Sequence, residues 1–304
     1  MRRVLAAMAK QALDPFQGMV ERHVMPPAMT SVDMELAAAR AAIADAGVDL
    51  AEIDLVVAHT PVPEWLGSNP SCLIHAALGL RPDCMAVQID ASGNSFLAQL
   101  TLAERLLATG RARHALLVQS AAGSRLLDPE DVQSPLFGDG AAAQVLGPVD
   151  APSILALVHR TDGSHPRALV ATVRDGRWYD GGRITLHRGD LADARMAFLE
   201  TLDRARDVIE PALARAGVSA AEIDVFASHQ GTPWLREVTM EALGMVRARY
   251  SDSFATQGYL AGASVPFVLD ELRRSGALRP GDLVAMLGGG VGATQAAAIV
   301  RWTL

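Results

Sequence analysis

The sequence is short of several things, and each shortage removes a class of function. It holds only two cysteines, Cys72 and Cys84. They have no metal-ligand spacing, and two cysteines do not make the framework of a disulfide-stapled domain. Both are expected to be reduced and buried. Positive charge is in deficit: 27 Lys and Arg stand against 34 Asp and Glu, a net charge of −7. That leaves no basic footprint for nucleic acid. It also gives no general attraction for an acidic carrier protein, whose docking would need a local basic patch. Long apolar runs are missing too. The longest uncharged stretch, Leu283 to Val300, is interrupted by Gly288, Gly289, Gly290 and Gln295. It predicts strand–turn–strand, not a membrane span. The basic start, MRRVLAAMAK, lacks the continuous apolar region of a secretion signal, so the expected compartment is the cytoplasm.

What is present suits a large core. The 304 residues are half hydrophobic and a fifth charged, enough for two domains or one duplicated one. Residues 1–30 give no readable pattern, and Met25-Pro26-Pro27 breaks any helix. From Thr30 or Ser31 a capped helix runs to Gly47, and a strand follows over Asp54–His59. A Pro-rich loop (Pro61, Pro63, Pro70) leads to a helix over Ser71–Leu78.

Met85 to Ile89 then reads as a strand, Asp90 to Ser95 as a small-residue turn, and Phe96 to Leu107 as a helix of near-3.6 period. A helix N-terminus supplies unpaired N–H groups and partial positive charge, which favour a thiolate, alkoxide or oxyanion. The plainer reading is a strand–helix connection capped by Asn94 or Ser95.

An internal repeat says more. Ala46 to Asp54 matches Ala216 to Asp224 at seven of nine positions, 170 residues apart. It pairs the strand at 55–60 with that at 225–230, and so His59 with His229. Leu100 to Gly110 resembles Phe267 to Gly276, each followed by a strand. Two helix–strand–helix–strand copies imply parallel sheets with helices on both sides. The expected fold class is α/β with two duplicated halves, roughly 1–150 and 185–304, joined by a connecting region at 151–184.

Several markers in order resemble one family. They are Gly18-Met-Val-Glu-Arg22-His23, Phe137-Gly-Asp-Gly-Ala141, Ser228-His229-Gln230-Gly231, Ser264-Val265-Pro266 and Gly288-Gly289-Gly290 with Val300-Arg301-Trp302. They are similar to the β-ketoacyl-[acyl-carrier-protein] synthase III family and its acyltransferase relatives. The resemblance implies a thiolase fold, a layered αβαβα arrangement, and a homodimer or a heterodimer. It implies no metal and no bound cofactor. The thioester of an acyl carrier protein or coenzyme A would itself be the substrate.

The family acts through a cysteine nucleophile, a histidine and an asparagine. His229 falls on the histidine, and Gly290 on the backbone that donates to the thioester oxygen. The first asparagine-bearing motif has Thr232 in its place, the second has Tyr259, and the arginine that grips coenzyme A corresponds to Trp234. Counting back from Gly110 puts Gly93 at the cysteine's place, and Tyr259 lies the same seventeen residues before Gly276. Counting forward from Asp90 instead reaches Ser95. Ser92 and Ser95 therefore flank a position that has no cysteine. Asn69 matches the loop that closes a partner's acyl pocket. Gly93, Thr232, Trp234, Tyr259 and Asn69 are expected at the substrate.

Two functions remain. One is an acyltransferase in which Ser95 or Ser92 carries the acyl group, His229 is the base, and the acceptor is a small amine, alcohol or thiol. The other is a catalytically silent subunit of a heterodimer with a cysteine-bearing homologue. A nucleotide loop at Gly288 to Thr294 is discounted, because it lies too near the C-terminus to open a βαβ unit.

Overall fold

The two copies of the repeat fold alike for local reasons. Leu50–Glu52 and Ala220–Glu222 each form one 3-10 turn, closed by a reciprocal pair between Asp49 and Glu52 or Ser219 and Glu222. An aspartate follows each turn. Asp54 accepts from the Arg113 N–H at 2.6 Å and from Arg81 at 2.5 Å. Asp224 accepts from the Leu283 N–H at 3.0 Å and from Arg247 at 2.7 Å. Each carboxylate ties the start of its strand to the start of the next strand in its sheet. The repeated sequence is a repeat of these contacts.

The computed structural model describes residues 1–304 except positions 13, 15, 129, 132 and 304. The first half contains α1 (Arg2–Gln11), α2 (Ser31–Ala46), β1 (Ile53–His59), α3 (Pro70–Leu78), β2 (Met85–Gln88), α4 (Ser95–Ala108), β3 (His114–Ala122) and β4 (Asp139–Leu146). Then come β5 (Ile154–Thr161) and a small hairpin of β6 (Val170–Thr172) and β7 (Thr185–His187). The chain continues with α5 (Leu191–Leu199), α6 (Thr201–Ala216), β8 (Val225–Ser228), α7 (Leu235–Leu243), α8 (Ser253–Gln257), α9 (Ser264–Arg274), β9 (Leu283–Gly290) and β10 (Thr294–Arg301).

The strands form two four-stranded sheets, β2-β1-β3-β4 and β5-β10-β9-β8. Alternation along each strand sends side chains to opposite faces. Leu55 and Val57 of β1 face inward, where Leu97, Leu100 and Ala103 of α4 and Val265, Val268 and Leu272 of α9 fill the space between the sheets. Val56 and Ala58 face outward, onto Ala39, Ile43 and Ile74 of α2 and α3. On the far side Val208, Ile209 and Ala212 of α6 cover Phe226, Ala285 and Ile299. The result is the layered αβαβα arrangement of a thiolase fold.

Several expectations are corrected. The sheets are mixed. β2, β1 and β3 run parallel, as do β8 and β9, but β4 and β10 pair antiparallel to their neighbours. Among the described residues no α-helix separates β3 from β4 or β9 from β10; a loop or a short turn returns the chain. β5, from within 151–184, is the edge strand of the second sheet. The opening residues do form a helix, α1, whose fully buried Val4 packs against Leu199, Leu202, Trp234 and Leu235. Cys84 is buried, but Cys72 is exposed on α3, and neither forms a disulfide. No helix among the described residues is long and apolar enough to cross a membrane.

Candidate active site

After β2 the chain turns sharply. The Asp90 carboxylate accepts the Ser92 N–H at 2.7 Å, and Ser92 takes a φ of 53°. Ser92–Asn94 makes one 3-10 turn before α4 begins at Ser95. The fully buried Ser95 hydroxyl accepts from the Ala91 N–H at 2.9 Å and donates to the Ser92 carbonyl at 2.7 Å. The second half repeats the device. Ala261 has a φ of 43°, Ala261–Ala263 is a 3-10 turn, and the Ser264 hydroxyl accepts from the Leu260 N–H at 3.2 Å. Ser95 therefore holds the turn, as Ser264 does where no nucleophile is expected.

This register pairs Gly93 with Gly262, not with Tyr259. Counting back from the closing glycines misleads because α4 has 14 residues and α9 has 11. Tyr259 is not the counterpart of Gly93; it lies against it. A β-carbon on Gly93 would overlap the Tyr259 hydroxyl and the Gly289 carbonyl oxygen. Tyr259 is set in place by its N–H, which donates to the Leu136 carbonyl at 2.8 Å. Its ring packs edge-on to Phe137 at 5.7 Å and to His229 at 6.3 Å. Burial pushes the phenol up to about 12, and its pairing with the Ser92 hydroxyl works the other way.

His229 stands just past β8, with its N–H on the Leu287 carbonyl at 2.9 Å. Gln230 fixes this corner: its amide donates to the Ser251 carbonyl at 2.6 Å and accepts the Phe254 N–H at 3.0 Å. The His229 Nδ1 is buried with no hydrogen-bond partner. Burial pushes the ring down to about 4, with the Leu287 carbonyl opposing, so it is neutral at physiological pH. A β-carbon on Gly289 would come to 2.5 Å from His229 Cε1 and 3.0 Å from its Nε2, so glycine lets backbone and imidazole meet.

A cavity of about 660 Å³ opens here, lined by His229, Thr232, Trp234, Tyr259, Gly289 and Gly290 among others. Met1, with Leu5 and Met8 of α1, forms part of its wall. The Thr232 hydroxyl is buried without a partner, and Trp234 is wedged edge-on against Phe198 at 5.1 Å. Of the residues expected from sequence, Gly290, His229, Thr232, Trp234 and Tyr259 face this space together. Ser92, Gly93 and Ser95 do not line it. Asn69 is elsewhere: it caps α3, accepting the Ser71 N–H at 3.2 Å, and donates to the Ala86 carbonyl at 3.1 Å.

Asn94 stands at the N-cap of α4, but its side chain makes no cap hydrogen bond. Its amide instead donates to the Thr294 hydroxyl at 3.1 Å, linking the halves, and its Oδ1 is buried and unpartnered against Gly288. The contact joins residues 200 apart and leaves no sequence signal. The α1 wall did leave one, the apolar spacing of Val4, Leu5 and Met8. Among the described residues no cluster of His, Cys, Asp or Glu could hold a metal.

A neutral histidine and backbone glycines at a largely apolar cavity suit acyl chemistry, and comparison with known proteins agrees. Residues 87–163 match the family model described as 3-Oxoacyl-[acyl-carrier-protein (ACP)] synthase III, and residues 213–302 match the model of its C terminal part. A β-ketoacyl-[acyl-carrier-protein] synthase III of Rhodospirillum rubrum is 35% identical over 93% of this chain and 88% of its own length. The chain belongs to the ketoacyl-[acyl-carrier-protein] synthase III family. Another synthase III, of Thermosynechococcus vestitus, is 32% identical over 94% of this chain and 88% of its own. The crystal structure of the Pseudomonas aeruginosa synthase III superposes with a TM-score of 0.85 at 26% identity, covering 98% of this chain and 92% of that one. A priming β-ketosynthase of a polyketide pathway superposes at 0.84 with 31% identity, over 94% and 86%. Membership makes the chain a transferase relative of the synthases of fatty acid and polyketide assembly.

Proposed function

We propose that this chain moves an acyl group from an acyl-carrier-protein or coenzyme A thioester to a small amine, alcohol or thiol. The observation that carries the reading is His229, neutral, with an unpaired Nδ1, in the wall of the cavity. A neutral imidazole is the form that can take a proton from an incoming acceptor. The cysteine route of the family has no thiol here. In a serine route the acyl carrier would be Ser92, because the Ser95 hydroxyl is engaged by the turn. The cavity is large enough for a short acyl chain and an acceptor together. The test is turnover of a panel of acyl thioesters with amine and alcohol acceptors by this chain alone. Loss of turnover in His229→Ala supports the reading; no turnover with any pair contradicts it.

One observation favours a second reading. The space for a side chain at 93 is filled by Tyr259 and Gly289, as suits a subunit that does no chemistry beside a cysteine-bearing homologue. Activity that appears only on mixing with such a homologue would favour it over the first.

A further inference from the structure

Tyr259 stands between the cavity and the turn that carries both serines, lining the one and touching Gly93 of the other. The residue lines the cavity, whereas Ser92, Gly93 and Ser95 do not. Its hydroxyl lies over Gly93, in the volume a β-carbon there would need, beside the Gly289 carbonyl. The Ser92 hydroxyl lies within reach of it and favours the ionised phenol, against the effect of burial. His229 meets the same ring edge-on, with centroids 6.3 Å apart. One donor and one base thus stand at the same cavity, and neither serine is part of its lining.

We infer that Tyr259 is a catalytic hydrogen-bond donor to the thioester carbonyl, and that the acyl group passes directly to the acceptor with no acyl-enzyme. The inference rests on the acyl-transfer reading above. The acceptor's N, O or S lone pair attacks the thioester carbon while His229 takes the acceptor's proton. The carbonyl oxygen becomes an oxyanion held by the Tyr259 O–H. As the tetrahedral intermediate collapses, the C–S bond breaks and the departing thiolate takes the proton back from His229. Thioester and acceptor become acylated acceptor and free thiol, and both side chains return unchanged. Two groups held at opposite ends of the pH scale divide the roles: the phenol, pushed up to about 12, stays a donor, and the imidazole, pushed down to about 4, stays a base.

The test uses the full chain with a thioester labelled with carbon-13 at its carbonyl. Isotope-edited infrared spectra are taken on wild type and Tyr259→Phe, which keeps the ring and its packing. Turnover and intact mass are followed in parallel. In wild type the bound carbonyl band shifts to lower frequency, and in Tyr259→Phe it returns toward the free value. In the variant kcat falls by about a hundred- to a thousandfold while KM changes little. No acyl adduct appears on the protein. An identical band or an unchanged kcat in Tyr259→Phe overturns the inference, as does a stoichiometric adduct on Ser92. A wild-type chain that binds no thioester overturns the acyl-transfer reading and the inference with it, and is distinguished by the absence of any bound band.

Discussion

The hydroxyl of Tyr259 occupies the volume that a β-carbon on Gly93 would need. Two residues 166 apart in sequence are therefore fitted to each other: the small one at 93 makes room for the large one at 259. Gly93→Ala is expected to lose stability on the order of 1–3 kcal/mol, the usual range for an overpacked interior. In a Tyr259→Phe background the loss shrinks without vanishing, because the Gly289 carbonyl remains in the way. Denaturant melts of the four proteins of this cycle measure it, and equal losses in both backgrounds would deny the fit.

Ser95 and Ser264 hold equivalent turns. Ser95→Ala leaves the Ala91 N–H without its partner, and Ser264→Ala does the same to the Leu260 N–H. Each is expected to cost about 1–3 kcal/mol. Ser95→Ala is the larger, since its hydroxyl also donates to the Ser92 carbonyl. Thermal unfolding reads both, and a Ser95→Ala protein as stable as wild type would free that hydroxyl for chemistry.

The pH dependence of turnover follows from the His229 ring at about 4. If His229 is the base proposed above, it works when neutral, so the acidic limb falls near pH 4 to 5, not near the ordinary histidine value of about 6.5. Folding has the same sign. Unfolded, the ring gains its proton near pH 6.5; folded, it does so only near 4. Its contribution to stability is complete above 6.5 and is lost as pH falls through that window. A limb in kcat/KM at pH 6.5 that His229→Ala removes would show the ring to be solvated.

Glu35 of α2 is fully buried and accepts from Thr60 at 2.8 Å and Ser120 at 2.6 Å, leaving its second oxygen unpartnered. Desolvation pushes it up to about 7, against the pull of those two hydroxyls. Between pH 4.5 and 7 the unfolded chain has released this proton and the folded one has not, so rising pH erodes stability there. Glu35→Gln should therefore gain Tm relative to wild type as pH climbs through that window, and the difference should level off above it. A pH-independent difference would contradict the burial of a charge.

The sequence carried what local pattern can carry. β1, α2 and the turn into α4 were legible because periodicity, caps and small residues sit within a few positions of one another. The duplication was legible because Asp54 and Asp224 need the same neighbours to join their strands. His229 was legible through its own motif. The antiparallel entry of β4 and β10 was not, since it depends on connections that lack a helix. α1 was missed because its apolar spacing at Val4, Leu5 and Met8 is short, and the residues that bury Val4, Leu199 and Trp234, lie far along the chain. The contact of Tyr259 with Gly93 was beyond reach for the same reason. It even looked like an equivalence, because helix length stood in for register.

Acyl transfer at His229 by this chain alone has a direct test. Purified chain, shown by mass to carry no homologue, is mixed with an acyl thioester and hydroxylamine as a small acceptor, and acyl hydroxamate is quantified against His229→Ala. Product is expected from wild type, with a loss of about a hundredfold or more in the variant. No hydroxamate above the enzyme-free rate, or equal rates from both proteins, would contradict it.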